Sequence, residues 1–576
     1  MKDRKERKER PQAGRVGKQG KRWQGKVALL VATSLVSFGI LTGFYGVSDS
    51  EMFLKIHRGI DLFGKVYKEI ATNYVDEVDP ERFMKAGIDG MLKTLDPYTV
   101  YIGEKDNDEI DLVTTGKYAG VGITIGLRDG IVTVINPLEG YSAAKQGIQP
   151  GDRILEIDGT TITATPMEDV RLLVRGAPGT SLRMKVGREG EAAPLEFVLM
   201  REEIPVRNVP YAGFVEEGIG YIRLERFSRT AGDDVRSALK ELKAKGTIRS
   251  LVLDLRDNPG GLLDVAVDVV SKFVPESSLV VSTRGRKSEA DRKYYSVEKP
   301  LLPDAALAVL VDRGSASASE IVAGAVQDLD RGVIVGTRTF GKGLVQTITR
   351  LSENTSLKIT SGRYYTPSGR SIQEIDYFHR SKGDVFTVKP DSLRKEYRTS
   401  HNRRVFDSGG IRPDSIVGEE LQGKFLQELH RKAMFFKFAN QYAVRNKSLP
   451  ENFDVSADLL KDFEKFLLEK EFTYQEEAEA KLGELREIAS KSRYGPSFHD
   501  GFERMVQSVE GEKVRAFERY NKELRSALKQ EIIARIKGAR FAIESSLRED
   551  PTLRVALTLL KNRTAYSGIL AGKPSP

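Results

Sequence analysis

Between Ile219 and Val335 the chain alternates two kinds of segment, and this alternation limits its fold more than any other feature. Ile219–Leu224, Arg249–Leu255, Leu307–Val311 and Val333–Val335 are short apolar runs of strand type. Ala231–Lys245, Leu262–Phe273 and Ser317–Leu329 lie between them and carry helical periodicity. Strand and helix in alternation predict an α/β layer. Ser356–Tyr365 reads as a further strand, and Gly409-Gly410-Ile411-Arg412-Pro413-Asp414 as a closing loop.

The flanks differ from this core. Gly116–Arg201 is mostly strand and turn: a hairpin at 121–135 around Arg128-Asp129-Gly130, then short helices at Ser142–Gln146 and Met167–Val174. Leu182–Val186 and Leu195–Met200 close this unit. Glu51–Leu112 reads as helices, with Asp79-Pro80 starting the second and Asp96-Pro97 ending it. It suits a packing or dimerisation element. From about residue 418 to 568 the chain is helix-forming and rich in Glu, Lys and Arg, which reads as solvated helices and oligomer contacts. The expected fold class is therefore α+β and multidomain, with segments 50–112, 113–202, 203–415 and 416–576.

Two segments precede these. Residues 1–26 hold eleven Lys/Arg against three acids, and Val27–Val47 contains no charge. Twenty-one residues at ~1.5 Å per residue reach about 30 Å, one hydrocarbon core. The basic flank predicts a cytoplasmic tail at 1–26, a transmembrane signal anchor at 27–47 and export of the rest. A cleaved signal peptide is the alternative. Without the first 26 residues the chain is near neutral, 80 basic against 79 acidic residues, so the net charge of +9 is no nucleic-acid footprint.

The chain has no cysteine, which excludes disulfides, thiolate metal sites and a cysteine nucleophile. Its five histidines form no HExxH spacing, so no metal or other cofactor is expected. Catalysis must come from other groups. Gly314-Ser315-Ala316-Ser317-Ala318-Ser319-Glu320 places hydroxyls at a helix start, where N–H groups favour developing negative charge. Thr339-Phe340-Gly341-Lys342-Gly343 follows one strand later. A serine needs a base, and a buried lysine supplies one because burial disfavours its ammonium form. Ser317 is the candidate nucleophile and Lys342 the candidate base. Ala318 N–H is a candidate oxyanion donor, and Gly260 or Gly261 offers the second. Gln346 shares a face with Lys342 if the segment is a strand. Asp328 returns to the face of Ser317 three turns on, about 16 Å along the axis, and reads as structural. The bare Ser-x-x-Lys spacing is uninformative, since helical composition produces it at Ser142, Ser237, Ser296, Ser392 and Ser526.

Two resemblances add to this. Tyr118-Ala119-Gly120-Val121-Gly122-Ile123 and Gly147-Ile148-Gln149-Pro150-Gly151-Asp152 resemble PDZ domains, which add an extended peptide to a sheet edge. The resemblance makes Gly120, Val121, Gly122 and Ile123 the loop that captures a terminal carboxylate. The two serine and lysine segments, with Gly220-Tyr221-Ile222-Arg223-Leu224, Leu253–Gly261 and Arg363–Arg370, resemble the C-terminal processing (tail-specific) peptidases over roughly residues 50–415. That resemblance implies a Ser317–Lys342 dyad assisted by Gln346, a PDZ domain that captures or gates the substrate's C-terminus, and a periplasmic or equivalent exported site in bacteria. Expected partners are proteins with apolar C-terminal tails, the inner membrane, other copies of the chain through the helical segments, and an adaptor. Asp257 stands where asparagine is common, and the long 416–576 extension departs from the family pattern.

Two other readings fit less of the chain. A catalytically inactive PDZ scaffold would have no need of Ser317, Lys342 and Gln346 together. A Ser-His-Asp protease lacks its histidine, since none lies between residues 58 and 378.

Overall fold

The computed structural model describes residues 51–573, apart from 104–111, 113, 164, 354, 381–385, 389, 419–422 and 493. The basic tail and the proposed signal anchor lie outside the described residues. Among the described residues no helix is long and apolar enough to cross a membrane.

Residues 51–94 form a unit of their own. Residues 51–73 are helical, and a second helix spans Pro80–Leu92. Asp79 caps it as the sequence predicts, its carboxylate accepting from Glu81 N and Arg82 N. Tyr67 stacks on Phe83 with ring centroids 5.5 Å apart and donates to the Pro80 carbonyl. The helical reading stops there. Val100–Ile102 is a strand that pairs with Ser356–Tyr365, so this end of the 50–112 segment belongs to the core.

The core sheet runs in the order 211–216, 219–223, 250–254, 306–311, 333–336, 415–416. All pairings are parallel except the first. Strands Ser250–Asp254, Ala306–Val311 and Val333–Gly336 are buried along their whole length, as expected for a parallel sheet covered on both faces. Helices Ala231–Lys245, Leu263–Ser271 and Ala318–Asp328 cover one face through Val235, Leu239, Ala266, Val270 and Val322.

The other face carries a correction. The last helices, Pro551–Lys561 and Arg563–Leu570, are not solvated surface. Leu553, Leu559, Leu560 and Ile569 pack on Tyr221, Val252, Leu310 and Val335. The Tyr566 hydroxyl accepts from Leu307 N at 2.9 Å and meets the Leu307 carbonyl at 3.1 Å. A parallel sheet needs both faces covered, and the chain's C-terminus supplies the second cover.

A second sheet consists of 100–102, 356–365, 279–285 and 292–295, with Leu344–Arg350 also paired to Ser356–Tyr365. The antiparallel module at 123–200 has strand order 123–128, 131–137, 153–157, 181–187, 195–200. Its helices fall at Ser142–Gln146 and Met167–Val174, as expected. Ile123–Arg128 is an edge strand.

Helices between Lys424 and Ile536 build a separate aromatic core around Phe425, Phe435, Phe438 and Phe463. This core leans on the 123–200 module. Lys437 pairs with Asp129 at 2.6 Å, Arg535 Nη1 donates to the Ile135 carbonyl, and Asn440 lies against Gly151.

Candidate active site

Ser317 sits at the N-terminus of helix Ala318–Asp328 with φ 56° and ψ −111°. A non-glycine residue adopts this region only where its surroundings impose it, and such strain gathers at reactive turns. The loop before it is braced throughout. Asp312 Oδ1 accepts from Gly314 N and Ser315 N, at 2.9 and 3.0 Å. The Ser315 and Ser319 hydroxyls donate to the carbonyls of Leu255 and Asn258. The other two serines of the cluster are thus buried structural donors, and Ser317 is the partly exposed one.

The turn 257–261 closes over this site. Asn258 is fully buried, donates to the Leu224 carbonyl and accepts from Gly260 N at 2.9 Å. A Cβ on Gly260 would lie 2.6 Å from the Ala316 carbonyl, 2.8 Å from Ala318 N and 2.9 Å from Ser317 Cβ. Only glycine lets this backbone approach, and φ is +99°. The Gly260 N–H is committed to Asn258, which leaves the exposed Gly261 as the stronger candidate for the second oxyanion donor beside Ala318.

Glu320 joins the two halves of the site, a role the sequence reading missed. Its side chain is fully buried, and four donors converge on it. Oε2 accepts from Ser317 N at 2.8 Å and Lys342 N at 2.9 Å. Oε1 accepts from Gly341 N at 2.7 Å and the Thr339 hydroxyl at 2.6 Å. Burial pushes its carboxyl up to about 7, while the four donors pull the other way by favouring the carboxylate. The buried Tyr364 adds a second tie, donating to the Lys342 carbonyl at 2.6 Å and lying 3.2 Å from that of Ser317. Glu three residues after an N-cap serine is a capping-box spacing, which was the available signal.

The glycines around Lys342 answer to packing. A Cβ on Gly341 would fall 2.6 Å from Glu374 Cβ, and one on Gly343 2.9 Å from Gln373 N. The Lys342 amine lies over the Tyr98 ring, 4.4 Å from its centroid. Burial first, then Lys358, lowers its pKa to about 8, with Glu320 and Asp96 opposing. Among the described residues the amine makes no hydrogen bond to the Ser317 hydroxyl.

Among the described residues, Gln346 bonds Thr360 and makes no direct hydrogen bond to the Lys342 amine. Strand Leu344–Arg350 begins after Lys342, and its pairing is irregular between Val345 and Gln346. The even spacing therefore does not carry through. Gln346 Nε2 donates to Thr360 Oγ1 at 3.3 Å, and Thr360 Oγ1 donates to Asp96 Oδ1 at 3.2 Å. Asp328 is structural as expected: it pairs with the buried Arg370 at 2.8 Å and accepts from Ser368 N.

In the 123–200 module, Gly122 has φ +79°, and a Cβ there would strike Tyr141. Ala143 N and Leu138 N take the carbonyls of Val121 and Gly122, which tethers the candidate carboxylate loop from below. Gly120 pairs with Glu202, and Ile123 opens the edge strand. Among the described residues no cluster of three His, Asp or Glu side chains could hold a metal ion.

Comparison with known proteins gives the family. Residues 218–385 match the family model "Peptidase family S41", 133–188 a PDZ domain, 48–106 the "Activating protease CtpB N-terminal domain" and 425–560 the "Probable PDZ-protease, C-terminal helical domain". A carboxy-terminal-processing protease of Bartonella bacilliformis is 39% identical over 353 residues, 61% of this chain and 80% of that one. Carboxy-terminal processing protease CtpB of Bacillus subtilis is 33% identical over 394 residues, 67% and 81% of the two chains. The chain belongs to the carboxy-terminal processing proteases of peptidase family S41. It is a serine-type protease with a PDZ domain, and its substrates are proteins.

Proposed function

We propose that this protease cleaves by a Ser317–Lys342 dyad and selects substrates by capturing their C-termini on the PDZ module. The observation that carries the dyad is Glu320, whose carboxylate takes the backbone N–H of both residues. Lys342 as free amine removes the Ser317 proton as Oγ bonds to the scissile carbonyl carbon. The N–H groups of Ala318 and Gly261 receive the oxyanion. Collapse breaks the C–N bond, and the lysine ammonium gives its proton to the leaving amine. Water, deprotonated by the same amine, then releases the acyl group and restores Ser317.

Capture is supported by the edge strand Ile123–Arg128, open to β-addition beside the loop 120–123. An apolar tail suits the half-buried Ile123 and Ile125 on that strand. The charge-free segment 27–47 behind a basic tail supports a single-pass inner-membrane anchor with the catalytic part outside the cytoplasm. Exposed Met52, Phe53, Ile56 and Ile60 on the N-terminal unit support self-association through it. An adaptor protein that delivers substrates belongs to the same proposal.

The test incubates the full chain and its Ser317→Ala variant with an unstructured protein ending in an apolar tail or in two aspartates. Cleavage of the apolar-tailed protein alone, lost in the variant, is the expected result. Equal cleavage of both tails removes C-terminal selection. A folded wild type that cleaves neither, and whose Ser317 takes no acylating probe, favours the scaffold.

A further inference from the structure

The turn 96–99 reads in the sequence only as the stop of a helix, yet it reaches the candidate base. Tyr98 places its ring face 4.4 Å from the Lys342 amine. The ring is itself held. Its hydroxyl lies 3.3 Å from the Tyr377 hydroxyl, and the two rings meet edge to face at 5.7 Å. Its backbone N–H donates to Asp96 Oδ1 at 2.9 Å, and the same carboxylate accepts from Thr99 N and the Thr99 hydroxyl. Thr360 N in turn donates to the Thr99 hydroxyl. Gln346 thus reaches the lysine through Thr360, Asp96 and this turn.

We propose that Tyr98 is a positioning residue for the candidate base, its ring face seating the Lys342 ammonium and strengthening that group's hold on its proton. The inference rests on the dyad reading. An ammonium over an aromatic face is attracted by the ring's negative quadrupole, and a neutral amine is not, so the ring favours the protonated form. The other groups around the amine are Lys358 on strand Ser356–Tyr365, Glu320 on the serine's helix and Asp96 in the turn. Burial and Lys358 loosen the proton, while the two carboxylates and the ring retain it. Tyr98 also fixes the amine's place, so that a substrate entering at Ser317 meets a base with little freedom to wander.

The test replaces Tyr98 in the full-length protein with phenylalanine and then with mono-, di- and trifluorophenylalanine. These keep the ring's shape and drain its face of negative charge. The rate at which a fluorophosphonate acylates Ser317 is measured against pH, with Lys342→Met alongside. The expected result is a rising limb whose midpoint moves stepwise to lower pH, by about half a unit to one unit across the series. Tyr98→Leu should move it the same way and also lower the plateau. Coincident midpoints across the fluorinated series overturn the inference. A Lys342→Met variant that acylates with the parent's pH profile overturns both the inference and the dyad reading. Loss of acylation in Lys342→Met with coincident midpoints overturns the inference alone.

Discussion

Ser317 and Lys342 lie on separate stretches of chain, yet their backbone N–H groups end on one oxygen, Oε2 of Glu320, at 2.8 and 2.9 Å. A carboxylate can accept from four donors at once, and this one does. An amide of the same shape cannot, because in either orientation its nitrogen would face at least one N–H group.

Glu320→Gln should therefore cost activity far more than its single-atom change suggests. We expect kcat/KM to fall by about two orders of magnitude, and stability by about 1–3 kcal/mol, the usual penalty for stranding buried donors. Kinetics and thermal melting measure both. A variant with wild-type activity would show that Glu320 does not hold the site together.

Activity should rise with pH through about 8, where Lys342 loses its proton. Its pKa is depressed, first by burial and then by Lys358, so it can act as a base below the range of an ordinary lysine. Lys358→Met removes a like charge that disfavours the ammonium. The midpoint of the rising limb should then move to higher pH. A shift to lower pH would contradict this electrostatic assignment.

Gly260→Ala should abolish cleavage and destabilise the fold. The new Cβ would meet the Ala316 carbonyl and Ala318 N at 2.6 and 2.8 Å, in a backbone region that alone costs about 1–3 kcal/mol. Kinetics and melting on the purified variant check it.

The C-terminal helices give a prediction that the sequence did not. Leu559→Ala should cost about 2–5 kcal/mol, as for a large core residue, because Leu559 packs on the central sheet. Removing residues 551–576 should leave an insoluble chain, not an altered oligomer. A folded, active truncation would refute the second-cover role of these helices.

Lys437→Glu should loosen the contact between the helical domain and the hairpin at 123–137, and Asp129→Lys in the same chain should restore part of it. Hydrogen exchange over residues 123–137 reads this out. No change in exchange in the single variant would show that the ion pair contributes nothing to docking.

The regular elements were legible because their periods are strong. Ala231–Lys245, Met167–Val174 and Ser356–Tyr365 fall where the sequence places them. Leu279–Gly285 was not legible, since its apolar start gives way to Arg284-Gly285 and its pairing depends on a strand far along the chain. The residues that orient the site were hidden for a related reason. Tyr98, Glu320, Thr339 and Tyr364 come from four stretches that only the tertiary fold brings together. Gln346 could not be placed from strand parity, since the pairing beside it is irregular and its side chain bonds Thr360. The final helices misled because amphipathic helices rich in Glu, Lys and Arg read as surface, whereas the face of Leu553, Ala556 and Leu560 covers a sheet.

The most direct test of the central claim is to map a fluorophosphonate adduct by mass spectrometry on the full-length wild type, Lys342→Met and Lys342→Arg, each confirmed as folded by thermal melting. One adduct, on Ser317, is expected in the wild type alone, formed at a rate that rises through about pH 8. An adduct on another residue, or wild-type labelling of Ser317 in Lys342→Met, would contradict it.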